Sequence, residues 1–180
     1  MNTFIEKYKV KDLTICDELI KYFKDNKEYK GEGRAGNGVY KHIKESIDVI
    51  FYNNSKNKNI IKFFNILVIF VQKYMEKYNL QHNLKTYIAN NIQYYKPGAA
   101  YFDLHYERNL NYPNRQLVYM MYLNTIKDNG GTEFPYQNIT LSAIKGDLYI
   151  WPADFTHPHN GIISPTQEKY IATGWIELVK

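Results

Sequence analysis

The feature that most constrains this fold is a change of pattern near Tyr94. Before it, apolar residues recur at helical spacing. After it, the chain breaks into short strand-like runs, Arg115 to Leu123, Leu148 to Trp151 and Lys169 to Val179, with turn signals at Pro97-Gly98 and Asn129-Gly130-Gly131. Several short strands separated by such turns predict a jelly-roll sandwich. The run Arg115 to Leu123 alternates poorly but is rich in Val, Leu, Met and Tyr, as a strand buried on both faces would be. A length of 180 residues with 44% hydrophobic content suits one domain with a sizeable core. The expectation is a mostly β domain over 1–180. About 1–90 would supply helical support and first strands, and about 91–180 the β core.

The first half carries the helices. Thr14, with Asp17 and Glu18 after it, resembles a helix start in which the hydroxyl caps a backbone N–H. Ile15, Leu19, Ile20 and Phe23 then keep helical spacing, predicting a helix over 15–25. Gly31, Gly33, Gly36 and Gly38 read as a loop. Tyr40 to Phe51 fits strand or helix. Asn57 to Asn79 reads as a long helix, apolar almost all round and therefore mostly buried, packing under a sheet. Strands begin at Leu84 to Gln93.

Composition narrows the function class. The net charge of +5 permits an acidic partner, but the lysines are spread along the chain, so the nucleic-acid footprint is weak. Eighteen tyrosines fit an aromatic-rich core. The single cysteine, Cys16, leaves no disulfide to form within the chain, which suits a reducing cytoplasm, or a host cytoplasm for a viral protein. Met1 to Val10 has no apolar run of the kind a secretory leader carries. Lys62 and Asn65 interrupt the most apolar stretch, Ile60 to Val71, which is too short to span a bilayer.

Chemistry concentrates in two segments about fifty residues apart. Read as a strand, Tyr101-Phe102-Asp103-Leu104-His105-Tyr106-Glu107 points His105 and Glu107 to one face, with Asp103 beside them. Phe155-Thr156-His157-Pro158-His159-Asn160-Gly161 offers a second imidazole from a distance, through either His157 or His159. Two imidazoles and one carboxylate on one side of a metal, with open positions opposite, are the donor set of non-haem Fe(II) oxygenases. A closed ligand set could only be structural.

The surrounding motifs fall in a recognisable order. Tyr95-Lys96-Pro97-Gly98 precedes His105, and Tyr122-Leu123-Asn124 ends the core run. Gly130-Gly131-Thr132-Glu133-Phe134-Pro135 follows, then Lys145-Gly146-Asp147-Leu148-Tyr149-Ile150-Trp151-Pro152. Lys169 stands ten positions after His159, and Trp175 six beyond that. Together these resemble the 2-oxoglutarate- and Fe(II)-dependent dioxygenases of the prolyl 4-hydroxylase-like branch, in particular small stand-alone members from bacteria and marine viruses. The resemblance spans roughly Asn91 to Val179. It implies a double-stranded β-helix, cupin-like, with the N-terminal helices buttressing one sheet.

The resemblance also implies roles. His105, Glu107 and His159 would be the metal ligands and so the catalytic set. Glu107 stands where the family usually has Asp. His159 is preferred to His157 because in the family a basic residue follows the distal histidine by nine or ten positions. Lys169 would anchor the far carboxylate of 2-oxoglutarate, which suits the cost of an unpaired ammonium inside a barrel. Tyr122 would reach the same carboxylate and Thr173 would add a hydrogen bond. Tyr95 would touch the co-substrate near the metal, and Trp175 would wall the site.

The implied activity is hydroxylation of a C–H bond with Fe(II), 2-oxoglutarate and O2, ascorbate as an auxiliary reductant, and succinate and CO2 as co-products. The family's default substrate is a prolyl residue in a peptide or protein, with a free amino acid as the other option. The retained carboxylate at Glu107 favours hydroxylation over halogenation. Two rival readings stand beside this one. An oxidative nucleic-acid demethylase would carry arginines after the distal histidine, where this chain has Lys169. A non-catalytic jelly-roll binding module would not need an intact ligand set. The loops Asn109 to Asn114 and Phe134 to Thr140 would set substrate choice.

Overall fold

A computed structural model describes residues 2–80 and 83–179. Its chain order is β1 (Glu6–Lys9), α1 (Thr14–Asp25), β2 (Lys30–Glu32), β3 (Ile47–Tyr52), α2 (Lys58–Lys77), β4 (Leu84–Thr86) and β5 (Ala89–Tyr95). There follow β6 (Arg115–Tyr122), β7 (Thr132–Phe134), β8 (Ile139–Leu141), β9 (Asp147–Pro152), β10 (Asn160–Gly161) and β11 (Lys169–Leu178). The large sheet runs β1-β9-β6-β11-β5-β3-β2, with β4 also paired to β11; a small sheet runs β10-β7-β8. Every strand pairing is antiparallel. This is the mostly β jelly-roll that the strand spacing predicts.

The poor alternation of β6 has a simple cause: both of its faces are buried. Leu117, Tyr119 and Met121 point into a core shared with Ile15, Leu19 and Phe23 of α1 and with Ile60, Phe63, Leu67, Val71 and Tyr74 of α2. Val118, Met120 and Tyr122 point the other way, into a second cluster with Phe134, Leu141, Tyr149 and Trp151 under the small sheet. The period of two along a strand divides one run between two cores. β11 divides the same way, with Tyr170, Ala172 and Ile176 on the helix side. Gly174 sits among these because a Cβ there would fall 2.0 Å from Asn90 Oδ1. That oxygen accepts a hydrogen bond from the buried Tyr119 hydroxyl at 2.8 Å.

Several expectations change. α1 does begin at Thr14, but the Thr14 hydroxyl does not cap it. Asp12 Oδ1 instead accepts from both the Thr14 backbone N–H at 3.0 Å and the Thr14 hydroxyl at 2.6 Å. α2 is capped by Asn57, whose side chain accepts from Asn59 and Ile60. It is not mostly buried: Ile61, Val68 and Ile69 lie on its outer face, 44%, 56% and 55% exposed. The helix packs its inner face on the sheet, and among the described residues nothing covers these outer side chains. The glycine-rich stretch is not all loop, because Gly31 and Glu32 pair with β3. Of Tyr40 to Phe51, only Ile47 onward is strand. Phe134 and Ile139–Thr140, assigned to an outer loop, belong to the β7–β8 hairpin. Among the described residues no helix is long and apolar enough to cross a membrane.

Candidate active site

The segment from Tyr101 to Glu107 is not the regular strand expected. It is irregular extended chain tied down by isolated bridges, Tyr101 to Lys44 and His105 to His159. His105 and His159 exchange both backbone hydrogen bonds, at 3.0 and 2.9 Å, so their side chains start from adjacent points. The Glu107 N–H is held by Ala153 O at 3.1 Å. Parity still brings His105 and Glu107 to one side, although no continuous ladder enforces it.

Three donor atoms converge. One ligand atom each from His105, Glu107 and His159 lies within 4.8 Å of the others. Glu107 Oε1 is 3.5 Å from His105 Nε2 and 3.9 Å from His159 Nε2. The other ring nitrogens are occupied: His105 Nδ1–H donates to Asp103 O at 2.9 Å, and His159 Nδ1–H to His157 O at 3.1 Å. A carbonyl can only accept, so each contact places the Nδ1 proton and turns Nε2 inward, as outer partners of metal-bound histidines do. His105 stacks on Tyr101, centroids 3.6 Å apart. His159 is wedged between Phe134 and Trp151.

Burial, and secondarily the neighbouring His105, push the His159 imidazole down to about 3, against the pull of Glu107. Burial alone would raise the Glu107 carboxyl, but His105, 3.5 Å away, and the Arg115 guanidinium beside it favour the ionised form and bring it down to about 2. A neutral imidazole beside an ionised carboxylate is the donor state a divalent metal needs. Two nitrogens and one oxygen on one side, open to a cavity on the other, fit Fe(II).

The other expected residues line the same cavity, of about 480 Å³. On β11, Lys169, Ile171, Thr173 and Trp175 succeed one another at every second position along its wall. Lys169 is 4% exposed, and its Nζ donates to Ile162 O at 3.2 Å and lies over the Tyr95 ring. Burial pulls this ammonium down to about 8. Tyr122 lies opposite Ile171 in the β6 register, its hydroxyl 2.8 Å from Thr132 Oγ1.

Three expectations are revised. The Thr173 hydroxyl gives its proton to Tyr119 O at 2.8 Å and has none left to donate to a carboxylate. The Tyr95 hydroxyl is committed to Gln93 Oε1 at 2.7 Å, so Tyr95 presents its ring. Trp175 is more than a wall, since its Nε1–H donates to Glu107 Oε2 at 2.9 Å. Asp103 takes no part through its carboxylate, which is exposed and outside the convergent group.

His157 stands outside that group as well. Its Nε2–H donates to Thr3 O at 2.9 Å and its Nδ1 accepts from the Thr156 hydroxyl at 2.9 Å. Both nitrogens are satisfied, and the ring ties the N-terminal segment to the 155–161 loop.

Arg115 was missed from the sequence. Its guanidinium lies 3.6 Å from the Trp175 ring centroid and 3.8 Å from that of Tyr112, and Nη1 reaches Glu107 Oε2 at 3.4 Å. The available signal was an arginine opening an otherwise apolar core strand, since a guanidinium buried there requires an anion.

A β-sandwich with this donor set at one end of its cavity defines a class, and the comparisons agree. Residues 90–177 match the model of the 2OG-Fe(II) oxygenase superfamily. The chain carries a 2OG-Fe(II) oxygenase domain, and with it comes the use of Fe(II), 2-oxoglutarate and O2. Among solved structures, it is similar to the viral collagen prolyl hydroxylase of Paramecium bursaria Chlorella virus-1 in complex with 2OG. That match has 21% identity and a TM-score of 0.75, covering 98% of this chain and 97% of the other. A Pseudomonas putida prolyl-4-hydroxylase matches at 15% identity and TM-score 0.78, covering 97% and 92%. A Trichoplax adhaerens prolyl hydroxylase, solved with a hypoxia inducible factor peptide fragment, matches at 14% and 0.80, covering 98% and 84%. These likenesses are of fold. No curated protein sequence matches the chain.

Proposed function

We propose that this protein hydroxylates a prolyl residue within a peptide or protein, releasing succinate and CO2. The observation that carries the reading is one cavity joining the His105–Glu107–His159 donor group to a buried ammonium, Lys169, to which no carboxylate among the described residues is bonded. A dicarboxylic oxo-acid has an end for each.

His105, Glu107 and His159 would hold the metal in this reading, and the cavity beside them would take the co-substrate. When bound, Fe(II) and 2-oxoglutarate supply the oxidising chemistry that places a hydroxyl on a C–H bond. The chain's residues bind and orient. Lys169 neutralises the far carboxylate, and Tyr122 offers its hydroxyl beside it. Val118, Met120, Ile171 and Trp151 line the cavity and exclude water. The mouth is lined by Tyr29, Tyr87, Tyr106 and Tyr112, flat faces of the kind that seat an extended proline-containing segment. The prolyl hydroxylase neighbours, one with a peptide bound, favour such a substrate over a free amino acid.

The test is a panel of proline-containing peptides, matched peptides with alanine for proline, and free proline. Each is assayed for Fe(II)-dependent succinate release and for the gain of one oxygen by mass. Oxygen gain on proline peptides alone supports the reading. Oxygen gain on free proline alone replaces the peptide substrate, and no succinate in any arm, with or without substrate, overturns the dioxygenase assignment of this site.

A further inference from the structure

Glu107 has one methylene more than the aspartate its family usually places there, and a longer carboxylate can swing and offer both oxygens to a metal. A second oxygen on the metal would take a position the co-substrate or O2 requires. The structure addresses the far oxygen directly. Oε1 faces His105 Nε2 and His159 Nε2, while Oε2 is turned away to Trp175 Nε1–H at 2.9 Å and Arg115 Nη1 at 3.4 Å. The two donors brace each other. Arg115 lies between the Trp175 and Tyr112 rings, and its Nη1 also reaches the Glu107 backbone carbonyl at 3.3 Å. Arg115 is 6% exposed, so its planar fork is fixed by packing and has no water to turn to.

We infer that Trp175 and Arg115 are positioning residues that hold Oε2 of Glu107 off the metal, so that this glutamate ligates through one oxygen as a shorter aspartate would. The inference rests on the reading of Glu107 as a metal ligand. It goes beyond that reading by giving the reason a glutamate serves there. An aspartate carboxylate, one methylene back, would fall out of hydrogen-bond reach of the indole N–H. Trp175 and the length of the side chain at 107 are therefore coupled.

The experiment is a double-mutant cycle on the full chain. Co(II) is titrated in and followed by its visible absorption, and 2-oxoglutarate is then titrated into the Co(II)-loaded protein. Trp175→Phe keeps the ring against Arg115 and removes only the N–H. It should keep Co(II) affinity within about threefold but change the Co(II) spectrum. It should also lower 2-oxoglutarate affinity about tenfold, the scale of one hydrogen bond to a charged group. In a Glu107→Asp background, Trp175→Phe should change 2-oxoglutarate affinity by less than about twofold, because the bond it removes is already gone. Arg115→Lys, which keeps the charge and loses the flat fork, should follow the same pattern with a smaller loss, and it decides the matter where Trp175→Phe does not fold. Equal losses in both backgrounds would mean that Trp175 is only a wall, and no loss in the Glu107 background would mean that the clamp does nothing. Either result overturns the inference. A parent protein that binds no Co(II) fails at the first titration and takes the ligand reading down with it, a failure distinct from the other two.

Discussion

The two faces of the large sheet are built from the same strands and do opposite work. Toward the helices, alternate residues of β6 and β11 meet Phe63, Leu67 and Ile15 in a core whose buried polar groups, such as Asn90 and the Tyr119 hydroxyl, satisfy each other. Toward the small sheet, the intervening residues leave a cavity that keeps a buried ammonium and two histidines within a few residues of Trp151 and Phe134. Neighbouring side chains one position apart are thus a packing element and a site element. The dry face fixes the strands, and the rigidity it supplies lets the other face hold polar groups in place. A substitution on one face should therefore alter stability and leave ligand affinity, and the reverse should hold on the other.

The largest expected effect lies on the site face. His159→Ala should abolish measurable metal binding while the fold is kept, because His159 supplies one of three donors and otherwise packs at the cavity wall. His157→Ala should bind metal like the parent and cost about 1–3 kcal/mol of stability through the Thr3 carbonyl it leaves unpaired. Metal titration with thermal unfolding on both variants checks this, and the reverse result would exchange the two histidines' roles.

On the helix face, Phe63→Ala should cost about 3–5 kcal/mol in denaturant unfolding, since the ring is fully buried against Phe51, Phe64 and Tyr119. Metal affinity of the folded fraction should be unchanged. A parallel loss of metal affinity would break the separation of the faces.

Lys169→Met should lower 2-oxoglutarate affinity by at least about a hundredfold, from the cost of removing one partner of a buried charge pair. Metal binding should persist. The same lysine gives a pH signature with opposite signs in two measurements. Its ammonium is held down to about 8, against an ordinary 10.5 in the unfolded chain. Between those values the unfolded chain binds more protons at this one group, so the stability of the ligand-free protein measured relative to Lys169→Met should rise as pH goes from about 8 toward 10.5. Affinity for 2-oxoglutarate should fall over that range, because the neutral amine no longer attracts the carboxylate. Lys169→Met should lose this fall in 2-oxoglutarate affinity.

The smallest effect belongs to the outer face of α2. Val68→Lys should change stability by no more than about 0.5 kcal/mol, because Val68 is more than half exposed. A large loss would mean that this face is covered in solution.

The sequence by itself determined the class of the fold and the chemistry at its centre. Short β runs between glycine and proline turns point to a sandwich, and an apolar strand run that fails to alternate reads as buried on both sides. His105, Glu107 and a histidine near 159 limit a metal to a small family of donor sets, because ligand chemistry resides in residue type. Lys169, Thr173 and Trp175 fell on one face through strand parity, a property of the backbone that needs no partner to be known. What tertiary structure decided was the use of each group. His157 and His159 are two positions apart and chemically identical. The Thr3 carbonyl, 154 residues away in sequence, engages the first, while the second pairs with the His105 backbone and has its Nε2 turned inward by the His157 carbonyl. Thr173 gives up its hydroxyl to the neighbouring strand, and α2 exposes an apolar stripe because nothing else in the described chain covers it. Arg115 and Trp175 meet Glu107 only because β6 and β11 lie side by side. Hydrogen bonds and ring stacking act over a few ångströms, and which residues come that close is a property of the folded chain.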